Sequence, residues 1–264
     1  MNDSPIGIFD SGMGGLSIFL SLKKMLPNEN FLYLADQKNC PYGSKREFQI
    51  KKLSFQNTKF LVSKNCKLIV IACNTATTLA IDYLRTKLPQ LVFIGVVPPL
   101  KPASRTTKTG HILLLSTRAT QKSRYLKKLI NDFASNKIVY NISCSGLVEL
   151  IERGETKGMK IKKLLKNFLK TALQDKKIDV VITGCTHYYF IKKSLINLLG
   201  NKLTFIDPNS AVGCQVRRVL RCKKLFCRKR NKDLFFTTGN PLLFEKSFEK
   251  LMGFKIKAKK IKMV

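Results

Sequence analysis

The feature that most narrows what this chain can fold into is an alternation running its whole length: short, continuous apolar runs separated by amphipathic stretches. The runs are Ile6–Phe9, Phe31–Ala35, Leu68–Ala72, Val92–Val97, Ile112–Leu115, Ile138–Tyr140, Val180–Thr183, Leu203–Ile206 and Leu234–Phe236. Most are apolar at consecutive rather than alternate positions, the pattern of strands buried on both faces. Between them, Leu16–Leu26, Arg46–Ser63, Thr75–Leu88, Gln121–Phe133, Met159–Leu173 and Ile191–Leu199 read as helices. This βαβα order predicts an α/β fold with mainly parallel sheets flanked by helices.

Two places interrupt the rhythm. Pro98-Pro99-Leu100-Lys101-Pro102 crowds prolines where neither a helix nor a central strand continues easily, and Asp207-Pro208-Asn209-Ser210 repeats the break. They predict two domains: residues 1–99 completed by 211–264, and residues 100–210. A weak internal echo supports the pairing. Leu68-Ile69-Val70-Ile71-Ala72-Cys73-Asn74-Thr75 resembles Val180-Val181-Ile182-Thr183-Gly184-Cys185-Thr186-His187. Ligands of open α/β sheets gather at the carboxyl ends of strands, so two such ends, one per domain, are expected to face each other across a cleft holding the active site.

Cys73 and Cys185 therefore stand out among the eight cysteines. A thiol at a helix N-terminus feels the positive end of the helix dipole, which favours thiolate, and both cysteines are expected in that setting. Either one alone reads as a small buried hydrophobe; the matched pair, each followed by polar residues, reads as chemistry. Cys66, Cys144, Cys214, Cys222 and Cys227 keep the ordinary reading. Cys40 adjoins Pro41-Tyr42-Gly43 and is expected near the site without acting in it. The opening Phe9-Asp10-Ser11-Gly12-Met13-Gly14-Gly15-Leu16 reads as strand, glycine-rich turn and helix start, in which glycines bring backbone amides close to a bound anion. It lacks the G-x-G-x-x-G spacing of a dinucleotide fold. Asp10 suits a substrate ammonium or the support of a nearby cysteine, and equally a helix cap.

Composition removes several classes. No apolar run approaches the roughly 18 residues that span a bilayer, and the first residues lack signal-peptide regions, so a cytoplasmic location is expected. No C-x-x-C occurs, and with only His111 and His187 a histidine-based metal site is poorly supplied; neither metal nor cofactor is expected. The formal charge of +33 comes from lysine spread along the chain. It is densest from Arg217 to Lys232, where Arg218, Arg221, Lys223, Lys224, Arg228, Lys229 and Arg230 occur without an acidic residue. That segment predicts weak, nonspecific polyanion binding and lacks base-reading modules.

Five motifs in order carry a family resemblance across nearly the whole chain: Asp10-Ser11-Gly12-Met13-Gly14-Gly15-Leu16-Ser17, Pro41-Tyr42-Gly43, Ala72-Cys73-Asn74-Thr75-Ala76, Gly95-Val96-Val97-Pro98 with Lys101-Pro102-Ala103, and Gly184-Cys185-Thr186-His187-Tyr188. With them the sequence resembles the glutamate racemases of the aspartate/glutamate racemase superfamily. The resemblance implies that Cys73 and Cys185 are the two catalytic acid/base residues, assisted by Asp10, His187 and a glutamate best matched by Glu152, with Glu149 as the neighbouring alternative. It implies substrate contacts at Asp10, Ser11, Tyr42, Gly43, Asn74, Thr75, Thr186 and His187. It further implies a cofactor-independent enzyme acting on glutamate, supply of D-glutamate for peptidoglycan, and a homodimer. Three positions depart from the family pattern: Tyr189 stands where proline usually follows the histidine-tyrosine pair, Ser145 where proline commonly follows a cysteine, and Pro208 where serine usually follows the aspartate. Two alternatives stay open at this point: an aspartate racemase with the same chemistry, and a nucleic-acid-binding protein on a racemase scaffold.

Overall fold

The computed structural model describes residues 2–263. Its strands and helices follow in the order β1 (Ile6–Asp10), α1 (Leu16–Met25), β2 (Phe31–Ala35), α2 (Glu47–Ser63), β3 (Leu68–Ile71), α3 (Asn74–Lys87) and β4 (Phe93–Gly95). After α4 (Leu100–Thr106) come β5 (His111–Ser116), α5 (Arg118–Lys122), α6 (Arg124–Ala134), β6 (Ile138–Ser143), α7 (Leu147–Glu152) and α8 (Met159–Leu169). The chain ends with β7 (Val180–Thr183), α9 (Lys192–Leu199), β8 (Thr204–Ile206), α10 (Asn209–Cys222), β9 (Leu234–Thr237), α11 (Pro241–Met252) and β10 (Ala258–Lys260). Among the described residues no helix is long and apolar enough to cross a membrane.

The strands form two sheets, one of six in the order β10-β9-β2-β1-β3-β4 and one of four in the order β6-β5-β7-β8. Every pairing is parallel. The first four strands and the next four share one topology, because β1 lies between β2 and β3 just as β5 lies between β6 and β7. The faint echo around the two cysteines is thus the sequence trace of a repeated architecture. β1, β2, β3 and β7 are buried throughout, which is why they read as continuous apolar runs. On one face of the larger sheet, Phe19 of α1 and Val212, Val216 and Leu220 of α10 join the core. On the other, α2 and α3 supply Ile50, Leu61, Ala80 and Leu84.

Several expectations need correction. The proline-rich crossing does hold a helix: α4 begins at Leu100 with Pro102 in its first turn, where a missing N–H costs nothing because that position has no intrahelical acceptor. The helix expected over Gln121–Phe133 is broken at Ser123, which is extended and caps α6 by accepting from the Leu126 N–H at 3.1 Å. The stretch expected to be helical to Leu173 leaves the α-helix after Leu169 and closes with a 3-10 turn at Ala172–Gln174. Unanticipated elements are α7, α10, α11 and β10. In α10 the buried stripe Val212, Val216, Leu220 repeats every four residues but is diluted by Arg217, Arg218 and Arg221. β10 carries only Ala-Lys-Lys, a polar strand at the sheet's edge with no apolar signal to detect.

Candidate active site

The site follows from the duplicated topology. In each sheet the chain reverses its direction of winding beside the central strand, β1 in one and β5 in the other, and ligands bind outside the carboxyl ends at such a switch point. Cys73 follows β3 after Ala72, and Cys185 follows β7 after Gly184, so the two thiols occupy corresponding positions in the two sheets. Both line one cavity, together with Ser11, Tyr42, Gly43, Asn74, Thr75, Thr186 and His187. Its volume is about 10 Å³, room for a single water, so admission of an amino acid requires its walls to part. Directly outside lies a cleft of about 540 Å³ that shares Pro41, Gly43, Thr117 and Val148 with it and is edged by Lys45, Arg46, Arg118 and Lys122. Those cations favour an anionic visitor.

The two cysteines are not held alike, contrary to the expected match. Cys73 caps α3, and its Sγ accepts from the Ala76 N–H at 3.5 Å. Cys185 leads into a 3-10 turn, Thr186–Ile191, and makes no capping bond. Its Sγ lies 3.9 Å from His187 Nδ1. The expectation that the helix terminus would favour a thiolate at Cys73 also fails. Burial pushes this thiol well up and the Asp10 carboxylate adds to the rise, outweighing the Ala76 N–H and the Ser11 hydroxyl 3.9 Å away. Cys73 therefore rests as a thiol.

Glu152 ties His187 to the elements of the other half. His187 Nε2 meets Glu152 Oε1 at 2.6 Å, and the same oxygen accepts from the Met13 N–H at 2.6 Å while Oε2 accepts from Gln37 Nε2 at 2.8 Å. Burial alone would lower the imidazole's proton affinity, yet the bonds to Cys185, Cys40 and Glu152 raise it well above its ordinary value. Burial would likewise raise Glu152, but His187, the Met13 N–H and Gln37 hold it below the usual carboxylate range. The pair is an imidazolium against a carboxylate. Of the two candidate glutamates, Glu152 makes this contact, whereas Glu149 is exposed and lines the outer cleft.

Asp10 is no helix cap: Gly15 begins α1 without a side-chain cap. The carboxylate is fully buried, where it accepts from the Gly12 N–H at 3.2 Å and the Thr186 hydroxyl at 3.3 Å, behind the residues that line the cavity. Burial raises its pKa, with the charge of His187 opposing. Tyr42 lines the cavity, but its hydroxyl is committed: it donates to Asp36 and accepts from Asn57 Nδ2 at 3.0 Å. Asn74 Nδ2 donates to the Val96 carbonyl at 3.3 Å and leaves Oδ1 buried without a partner. A buried acceptor in that state costs about 1–3 kcal/mol and is ready to receive an ammonium. The N–H groups of Asn74 and Thr75 open α3 and lack intrahelical acceptors. Thr75 Oγ1 lies 2.9 Å from Thr117 Oγ1 and 3.2 Å from Thr120 Oγ1.

The glycine-rich turn works differently from the anion cradle expected of it. A Cβ at Gly12 would lie 2.1 Å from Glu152 Oε1, and one at Gly14 would lie 2.4 Å from Thr186 Oγ1 and 2.5 Å from His187 Nδ1. These glycines admit side chains from the other half, and the anion their loop receives is the Glu152 carboxylate. Gly12→Ala is expected to displace Glu152 and cost about 1–3 kcal/mol of stability, the usual range for overpacking. Urea unfolding of the variant checks this, and unchanged stability would show that the loop yields.

Sequence reasoning missed Thr117, Val148 and Gln37 at the site. Thr117 was within reach, since it follows the predicted strand Ile112–Leu115 and the strand-end rule applies there too. The other two lacked a comparable signal.

Comparison with known proteins points to one family. The family model for Asp/Glu/Hydantoin racemase matches residues 18–213. A glutamate racemase from Clostridium perfringens is 37% identical over 250 residues, covering 94% of this chain and 96% of its own. Among solved structures, glutamate racemase isoform RacE1 from Bacillus anthracis superposes with a TM-score of 0.90 at 28% identity, covering 100% of this chain and 99% of its own. The glutamate racemase from Francisella tularensis subsp. tularensis SCHU S4, solved in complex with D-glutamate, gives 0.86 at 30% identity, with 100% and 99% covered. With the family model spanning most of its length and such relatives alongside, the chain belongs to the Asp/Glu/Hydantoin racemase family, as an amino-acid racemase of the glutamate racemase type.

Proposed function

We propose that this racemase interconverts L- and D-glutamate by a two-base proton transfer between Cys73 and Cys185, with no metal or organic cofactor. The observation that carries the reading is the placement of two thiols after equivalent strands of two sheets, both lining one cavity. Racemisation removes an α-hydrogen from one face and returns a proton to the other, so one base on one face would tend to restore the starting enantiomer. Two facing thiols, one as thiolate base and one as thiol acid, meet the requirement. Cys73, kept protonated by burial, is the acid when L-glutamate enters. Cys185, whose Sγ lies 3.9 Å from His187 Nδ1, is the base.

The substrate ammonium donates to Asn74 Oδ1, and the Asn74 and Thr75 N–H groups bind the carboxylate on which carbanion charge develops. Ser11, Gly43, Thr186 and His187 complete the substrate contacts, with Tyr42 contributing packing. Asp10 acts from behind the wall by orienting Thr186, and Glu152 by holding His187. The working units are residues 1–99 with 211–264, and residues 100–210. The family likeness extends the reading to a cytoplasmic homodimer that supplies D-glutamate for peptidoglycan. The exposed basic residues between Arg217 and Lys232 are read as a weak, salt-sensitive polyanion contact separate from the reaction.

Chelator-treated protein, free of pyridoxal phosphate, is expected to convert L-glutamate to an equal mixture of enantiomers in a chiral product assay, with L-aspartate turned over far more slowly. Faster turnover of aspartate would move the assignment to an aspartate racemase. Activity that returns only when a metal is added would overturn cofactor independence.

A further inference from the structure

Cys40 ends the 3-10 turn Gln37–Asn39, half-buried, beside the His187–Glu152 pair. Its sulfur, a ring nitrogen of His187 and a carboxylate oxygen of Glu152 all lie within 4.8 Å of one another. A second cavity, of about 350 Å³, reaches Cys40 and Glu152 and shares only Pro41 with the cavity between the two thiols. The cluster can therefore be approached without passing through the substrate's place. The three residues are far apart in sequence, so cysteine and histidine spacing gave no warning of the cluster.

We propose that Cys40, Glu152 and His187 form a binding site for a zinc-class divalent cation, whose occupancy stops the racemase. The donor set of one sulfur, one imidazole nitrogen and one carboxylate oxygen is one that zinc accepts in four-coordinate sites, with the fourth position left to water. Bonds of about 2.0–2.3 Å to zinc require the three donor atoms to draw around a common centre, within reach of side-chain rotation. The outer groups a metal site needs are present: Gln37 Nε2 holds Glu152 Oε2 at 2.8 Å, and the Met13 N–H holds Oε1. On binding, the S–H bond of Cys40 gives way to S–Zn and its proton passes to water. The ring nitrogen of His187 that takes the metal likewise releases its proton, and no electron moves. A zinc ion inserted between Glu152 and His187 breaks their contact and turns the imidazole away from supporting Cys185. Inhibition, though not binding, rests on the function proposed above.

The test uses the full-length protein, freed of metal by chelation and titrated with cobalt(II), then with zinc. Wild-type protein is expected to develop a thiolate-to-cobalt charge-transfer band that zinc abolishes, with racemisation falling in step with zinc occupancy. In Cys40→Ala the band should be lost and zinc inhibition should weaken by at least about 100-fold, a loss above that typical of removing an outer-shell partner. Its zinc inhibition is read against its own metal-free rate, because Cys40 also bonds to His187. Cys40→Ser, which keeps the shape of the side chain, should behave in the same way and replaces the alanine variant if that folds poorly. Cys73→Ser and Cys185→Ser should both retain the band. Absence of the band in wild type would overturn the proposal. So would a band or full zinc sensitivity that survives loss of Cys40, which would place the metal on Cys73 and Cys185. A band without any metal-free racemisation would leave the site standing and sink the proposed function instead.

Discussion

Cys73→Ser and Cys185→Ser are each expected to lower kcat for glutamate racemisation by at least about 10³-fold, within the 10²–10⁴ that a positioned acid or base contributes. KM should move only a few-fold, because neither sulfur binds the ammonium or the carboxylates. Serine nearly preserves the side-chain shape, so packing around α3 and after β7 should survive, and circular dichroism should match wild type. The loss is chemical: an alcohol is a far weaker acid than a thiol, and its anion is not accessible near neutral pH. The two variants should differ in what remains. Cys185→Ser keeps the Cys73 sulfur and no sulfur opposite it, whereas Cys73→Ser keeps the sulfur beside His187. Exchange on one face, or elimination from a substrate analogue with a leaving group, should therefore persist in one direction only for each variant. Steady-state kinetics in both directions decide the matter, and either variant turning over like wild type would remove that cysteine from the mechanism.

How far the sequence reached this picture can be argued from particular residues. Strands β2 and β7 were legible to the residue, because a strand buried on both faces leaves an unbroken apolar run. The site cysteines were legible for a related reason: the strand–small residue–cysteine–polar pattern sits where each chain half leaves its sheet. Glu152 is different. Its role depends on α7 bringing a carboxylate within 2.6 Å of both Met13 N–H and His187, 139 and 35 residues away, and only the family likeness pointed to it. The glycine turn was identified and its purpose misread, since what lies opposite Gly12 and Gly14 is set by tertiary packing. The protonation of Cys73 was misread for the same reason. Dipole position can be inferred from a helix start, but the depth of burial that overrides it cannot. The orientation of the unpaired Asn74 Oδ1 is likewise tertiary, since Val96, beyond β4, holds the amide's other end.

Isotope labelling should give the largest qualitative signal. In deuterated water both thiols exchange with solvent before turnover, so each sulfur that acts as an acid carries deuterium. When L-glutamate binds, the base on its face takes the α-hydrogen and the opposite thiol delivers deuterium. The D-glutamate formed in the first turnovers is thus expected to be almost wholly labelled at the α-carbon. Recovered L-glutamate should at first carry little label, because reprotonation on the original face returns the abstracted hydrogen. Starting from D-glutamate should give the mirror result, with Cys73 as base and labelled L-glutamate as product. Cys185 is then the acid, so the direction of labelling reverses while its extent does not. Mass spectrometry of separated enantiomers below a few per cent conversion reads both pools. Product enantiomer that keeps the substrate's own hydrogen would falsify transfer between two bases, since one residue would then have to serve both faces. Heavy early labelling of the starting pool would mean that solvent reaches the first sulfur faster than the carbanion is quenched, and would place the site in an open state during turnover.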